Sequence, residues 1–184
     1  MPQTFTILES HEFPPLLREI QDPPERLYLQ GHLPRAGRFL SIVGTRKASR
    51  EGMKIAEMFA GRLAAAGAVI VSGLAVGIDT AAHKGALDQC GLTIAVLGTS
   101  LDDVYPVVNV RLAERIIRER GALLSEYPAG APGYKVNFLR RNRIISGLSS
   151  AVLIVEAPQR SGSLATARLA AEQGREVFVV PGPL

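Results

Sequence analysis

The chain has 184 residues, 47% of them hydrophobic and 21% charged, with a formal net charge of +4 and a sequence pI of about 9.6. That balance excludes a disordered chain and suits one domain with an appendage, because a chain this long buries roughly 70% of its unfolded surface. A single cysteine, Cys90, excludes an intrachain disulfide and a cysteine metal cluster, while the mild basic excess is compatible with an anionic partner.

The first ten residues, MPQTFTILES, show no basic stretch followed by an apolar run, so no secretory signal and a cytoplasmic location are expected. Residues 1–37 hold six of the twelve prolines. Within them, FPPLLREIQDPPERLYLQGHLP predicts a short apolar helix around Leu16–Ile20 and extended chain elsewhere. The stretch 1–37 is therefore expected to be an arm docked on a core domain spanning 38–184.

From Phe39 onward, short apolar runs alternate with helical patterns. The runs are FLSIVG (39–44), AVIVSG (68–73), LTIAVLG (92–98), ALLSE (122–126), AVLIVEA (151–157) and EVFVVPG (176–182). Being apolar on both faces, they suit strands covered on both sides. Helices are predicted at about 50–66, 78–90, 109–120, 138–148 and 162–173. Gly67, Gly121 and Gly174 follow three of them, where a left-handed residue is expected. The longest uncharged apolar window, Leu63–Ile78, is interrupted by three glycines and falls short of the about 20 residues of a membrane span. The alternation predicts an α/β fold, doubly wound around a mostly parallel sheet.

In such a sheet, ligands bind in the loops that leave the carboxyl ends of the strands. Those loops are 44–49, 72–79, 98–107, 126–137 and 157–163. The first holds Gly44, which permits a tight turn, then Arg46 and Lys47, with Ser49 placed to cap the next helix. A helix start with added cations suits phosphate, although the run is neither GxGxxG nor a P-loop. The second loop holds Gly73 and Gly77 around a small apolar turn, with Asp79 read as a helix cap in preference to an acid/base group and His83 as a structural residue one turn on. Cys90 reads as a passive thiol near a helix end. The last loop, Arg160-Ser161-Gly162-Ser163, offers a second anion-receptive helix start.

The densest cation cluster lies in FLRRNRIISGL, residues 138–148. Ile144, Ile145 and Leu148 define a buried helical face. Arg141 falls in line with them, so either the helix starts after it or Arg141 has a fixed acceptor, a carboxylate or a carbonyl, with Glu126 and Glu156 as candidate carboxylates. Arg140 and Arg143 lie on one flank and are expected to look outward. The preceding loop adds Lys135, Tyr134 and Phe138. Cations beside a planar ring suit single-stranded nucleic acid, since the cations meet phosphates and the ring stacks a base.

These residues resemble the DNA processing protein A family (DprA, also called Smf). The resemblance runs from DPPERLYLQG (22–31) through IVGTRKAS, VSGLAVGIDTAAHKGAL, YP at 105–106, LLSEYP and FLRRNRIISGLSSAVLIVEA to SGSLATARLAAEQGREVFVVPG. It implies an extended Rossmann fold that binds single-stranded DNA, protects it and hands it to the RecA recombinase in natural transformation. It also implies a homodimer and neither enzymatic activity nor cofactor. Carried over by position, the DNA pocket takes Arg46, Lys135, Phe138, Arg141, Asn142 and Arg143, with Gly73, Gly162 and Ser163 giving close backbone approach. Leu139 stands where the family commonly has proline, and the SxGxN block expected after VVPG is absent, so the core is expected to be truncated relative to the family. The alternative is a nucleotide-binding or nucleotide N-glycosidic-bond-cleaving enzyme of the lysine-decarboxylase-like Rossmann type. Its PGGxGTxxE turn is replaced here by RSGSLATARLA, leaving Glu126 and Glu156 as the candidate acid/base groups.

Overall fold

A computed structural model describes residues 5–34, 36–159 and 161–182. Two strands that the apolar pattern does not announce come first: β1 (Thr6–Glu9) and β2 (Arg26–Gly31), separated by the one-turn helix α1 (Pro15–Arg18). The six apolar runs then form β3 (Arg38–Val43), β4 (Ala68–Ser72), β5 (Thr93–Val96), β6 (Ala122–Ser125), β7 (Ala151–Ile154) and β8 (Glu176–Val179). Between them lie α2 (Arg50–Ala65), α3 (Ile78–Asp88), α4 (Val110–Arg118), α5 (Lys135–Leu148) and α6 (Gly162–Glu172). All six runs end as strands before their predicted limit.

The eight strands form one sheet in the order β1-β2-β6-β5-β4-β3-β7-β8. Strands β3 to β8 are parallel, whereas β1 and β2 add antiparallel to the edge at β6. From β3 the chain winds outward through β4, β5 and β6, then returns to place β7 on the other side of β3. The direction of winding reverses between β3 and β7, the switch point where doubly wound sheets open a crevice.

Apolar residues fill both faces of the sheet. On one, Leu17 and Ile20 join Ile144, Ile145 and Leu148 of α5 and Ala170 of α6 over Val43, Val71 and Ile154. On the other, alanines of α2 and α3 pack closely over Ile42 and Ile70, and Leu112 and Ile116 of α4 cover Leu97 and Leu123. Each fully buried Leu or Ile here contributes about 1.5–3 kcal/mol relative to an exposed one. Gly67 and Gly174 take the expected left-handed conformation, at φ 84° and 71°. Gly121 does not. After α4 the left-handed residue is Arg120, at φ 67°. Gly121 serves close packing instead: a Cβ there would lie 2.7 Å from Ile116 Cγ2 and clash with the Thr93 carbonyl.

Among the described residues no helix is long and apolar enough to cross a membrane.

Candidate nucleic-acid interface

The loops leaving β3, β4, β5, β6 and β7 enclose a cleft of about 700 Å³ at the carboxyl edge of the sheet. Gly44 and Arg46 enter from the loop after β3, Lys135, Phe138, Arg141 and Asn142 from α5, and Gly162 and Ser163 from the start of α6. Eight residues singled out in the sequence thus share one concavity.

Tight packing makes the rim. Gly44 cannot carry a side chain, because a Cβ would lie 2.8 Å from Ile78 Cβ and 2.9 Å from the Glu156 carbonyl oxygen. Thr45 N–H donates to that same carbonyl at 2.7 Å, which ties the β3 and β7 loops together across the switch point. Ser49 caps α2 as expected, its Oγ accepting from Gly52 N–H at 2.9 Å. Glu156 accepts from Ser49 N–H and from Ser49 Oγ at 2.9 Å, so its carboxylate lies against the positive end of α2. At the start of α6, Ser161 Oγ accepts from Leu164 N–H, and Asn142 Nδ2 donates to the Gly162 carbonyl at 3.2 Å.

Exposed Arg46 holds its guanidinium carbon 5.5 Å from the centroid of the Phe138 ring. Phe138 rests against Gly98, where a Cβ would stand 2.8 Å from the ring. Arg46 and Phe138 come from opposite sides of the switch point, and Lys135 lies one helical turn from Phe138 at the exposed beginning of α5.

The remaining arginines are used differently from expectation. Arg141 is only 4% exposed. Its Nη1 donates to the Gly73 carbonyl at 2.8 Å and to the Val96 carbonyl. The acceptors are therefore main-chain carbonyls, not Glu126 or Glu156. Burial pulls the Arg141 pKa down to about 10, opposed by the charge of Asp79. Gly73 does not line the cleft. It is the floor on which the guanidinium lies, since a Cβ there would sit 2.6–2.8 Å from the guanidinium atoms. Asp79 is not the cap of α3. Its Oδ2 accepts from Gly73 N–H at 3.1 Å, and burial raises its pKa against the lowering effect of Arg141.

Arg143 does not look outward. Its Nη1 and Nη2 donate to the two carboxylate oxygens of Glu126, each at 2.6 Å, and Nε reaches Asp22 at 2.9 Å. The Arg143 and Glu126 side chains are 7% and 12% exposed. Arg140 is exposed but opens on a separate groove with Arg26 and Tyr127. Lys47 is exposed and Tyr134 is 60% exposed; neither lines the cleft. Arg160 lies outside the described residues. His83 is structural: its Nδ1 pairs with Thr93 Oγ1 at 2.7 Å, and burial, aided by Arg141, lowers its pKa to about 3.

Sequence reasoning passed over Thr99 and Asp103, which also line the cleft, and met Tyr105 only as part of the YP pair of the resemblance, without a role in the site. The loop holding them was marked by topology, yet it has no periodicity to rank its residues. Among the described residues no group of three or more His, Cys, Asp or Glu could hold a metal ion.

The chain is similar in sequence and fold to known proteins. Protein Smf of Escherichia coli is 49% identical over 177 residues, covering 96% of this chain and 47% of that protein. The DNA processing protein DprA of Streptococcus pneumoniae is 45% identical over 186 residues, covering 98% of this chain and 64% of that one. The chain thus spans about half to two thirds of these relatives. The solved S. pneumoniae DprA superposes with a TM-score of 0.91 at 43% identity, over 99% of this chain and 65% of that one. DNA processing protein A of Helicobacter pylori, whose structure describes a single-stranded DNA binding mode, superposes with a TM-score of 0.89 at 34% identity, over 100% of this chain and 83% of that one. A molybdenum cofactor carrier protein of Chlamydomonas reinhardtii, at 16% identity and a TM-score of 0.56, shares the fold alone. The model of the family described as DNA recombination-mediator protein A matches residues 4–184, and the chain belongs to that family.

Proposed function

We propose that this chain binds single-stranded DNA without sequence preference in the cleft at the carboxyl edge of its sheet. The observation that carries the reading is the meeting of Arg46, Lys135 and Phe138 on one rim, with the Arg46 guanidinium 5.5 Å from the Phe138 ring. Cations beside a ring serve phosphate and base respectively. The single-stranded DNA binding mode described for the H. pylori relative supports the same assignment. We take Gly44, Arg46, Lys135, Phe138, Gly162 and Ser163 as the contacting set, with Lys47 and Arg140 as outlying cations along the strand's path. Buried Arg141, Asn142 and Arg143, together with Gly73, are assigned to holding the site in shape.

Family membership further supports a place in DNA processing for transformation. On that basis the chain protects an incoming strand in the cytoplasm, passes it to the RecA recombinase and works as a homodimer. The deciding experiment is a salt series of labelled oligo-dT against duplex of equal length. Preference for the single strand, with log affinity falling linearly in log salt by about 0.7 per neutralised phosphate, is expected. Equal affinity for both, or indifference to salt, rejects the reading. RecA transfer is tested by whether the protein shortens the lag of RecA assembly on coated strands, and pairing by light scattering in solution.

Of the two carboxylates named for the enzymatic alternative, Glu126 is engaged by Arg143 and Glu156 by Ser49.

A further inference from the structure

Tyr105 lies in the turn between β5 and α4 and lines the cleft beside Phe138. Its ring meets the Phe138 ring edge-on, with centroids 5.5 Å apart and planes inclined by 65°. A contact of this kind sets the edge of one ring toward the face of the other and fixes their mutual angle, and Tyr105 remains 50% exposed. The turn projects still further at Val107 and Val108, which are 78% and 73% exposed. A large, half-exposed ring is thus held at a set angle in a groove that carries cations.

We infer that Tyr105 is a second base-stacking platform, so that the cleft takes an unpaired dinucleotide step with its two bases turned out of parallel, one toward Phe138 and one on Tyr105. The inference rests on the single-stranded DNA reading and sharpens it. Neighbouring bases in a duplex lie parallel at about 3.4 Å. Two platforms inclined by 65° cannot both be met by parallel bases. The step must open. A single strand opens it by giving up one base–base stack and gaining a ring for each base. A duplex also loses its pairing, so the corner between the rings selects against paired DNA without any hydrogen bond to a base edge.

The test uses the full chain, labelled oligo-dT and a matched strand carrying 5-iodouracil for photo-crosslinking. Crosslinks at both Tyr105 and Phe138 are expected. Tyr105→Ala is expected to weaken oligo-dT binding about 5- to 100-fold, the span of one base–aromatic stack of about 1–3 kcal/mol at about 1.4 kcal/mol per tenfold. Tyr105→Phe is expected to retain wild-type affinity, and both variants to keep the salt slope. Tyr105→Leu, which keeps apolar bulk at the Phe138 edge, guards against a mere loss of fold and should bind as weakly as Tyr105→Ala. The inference is overturned by crosslinking confined to Phe138, by Tyr105→Ala binding within twofold of wild type, or by Tyr105→Phe binding as poorly as Tyr105→Ala. These outcomes leave the function standing, because wild-type binding and its salt slope are read in the same titrations. Absence of oligo-dT binding by the wild type removes the function and the inference together.

Discussion

The Arg46 guanidinium lies over the Phe138 ring at 5.5 Å, joining the loop after β3 to the first turn of α5 across the switch point of the sheet. A cation held above a ring in this way is attracted by the ring quadrupole. Arg46 is exposed, and on the proposed reading its guanidinium turns from the ring to a phosphate.

From this relationship, Arg46→Ala and Lys135→Ala should each weaken binding of every single-stranded sequence alike. Each should also flatten the log–log salt dependence by about 0.7, the share of one phosphate. Affinities of oligo-dT, oligo-dC and a mixed sequence, measured across salt for both variants, check this; an unchanged slope in both refutes the phosphate role.

Phe138→Ala separates stacking from charge. Loss of one base–aromatic stack, about 1–3 kcal/mol, should lower affinity while the salt slope stays as in the wild type. Fluorescence anisotropy at several salt concentrations reads both quantities, and a fall in slope alongside affinity counts against the assignment.

Arg143 and Glu126 form a two-pronged ion pair whose side chains are 7% and 12% exposed. Removing one partner of such a pair strands the other, at a cost of about 3–5 kcal/mol. Arg143→Ala should therefore lower Tm by roughly 10 °C for a chain of this size, and Arg143→Lys, which cannot match both oxygens, should recover only part. Calorimetry of the two variants decides; a shift of a degree or two for Arg143→Ala contradicts the structural role.

At Gly73, even one methyl group meets the Arg141 guanidinium, with 2.6–2.8 Å between a new Cβ and its atoms. Gly73→Ala should push Arg141 off its carbonyl acceptors and destabilise the fold by about 1–3 kcal/mol, as overpacking does. Denaturant unfolding gives the value, and a neutral substitution rules out the contact.

Stability should also fall on mild acidification through His83. Its folded pKa, about 3, lies below the ordinary 6.5. The stability it contributes is complete above about pH 6.5 and is lost progressively as the pH drops toward 3, since the unfolded chain takes up the proton first. At pH 5 the loss amounts to about 2 kcal/mol. Asp79 acts in the opposite sense, because a raised carboxyl pKa lends stability that is lost as pH rises. His83→Gln isolates the imidazole: urea midpoints between pH 7.5 and 5 should change less in the variant than in the wild type, and parallel profiles defeat the prediction.

Much of the sheet was legible because its parallel strands are buried on both sides and write continuous apolar runs. Strands β1 and β2 escaped because each carries one buried residue, Leu8 and Leu27, among exposed or half-exposed neighbours. The cleft loops were legible from topology, and the alignment of Arg141 with Ile144, Ile145 and Leu148 from helical period. The partners were not. Asp22 and Glu126 approach Arg143 from segments that no periodicity links to α5, and an outward arginine and a paired one look alike on a helical wheel. Tyr105 was hidden for a related reason: it sits in an irregular turn, and only the folded chain sets its ring against Phe138.

The setting of Arg141 has a consequence for selectivity. An arginine that offers its planar fork to a groove most often picks out guanine. Arg141 instead presses down on the carbonyl ends of β4 and β5, with its guanidinium flat on Gly73. Nη1 of the most buried cation lining the cleft is thereby committed to main-chain carbonyls, and on the proposed reading a strand above it is expected to be held by its backbone and base faces rather than by its base edges.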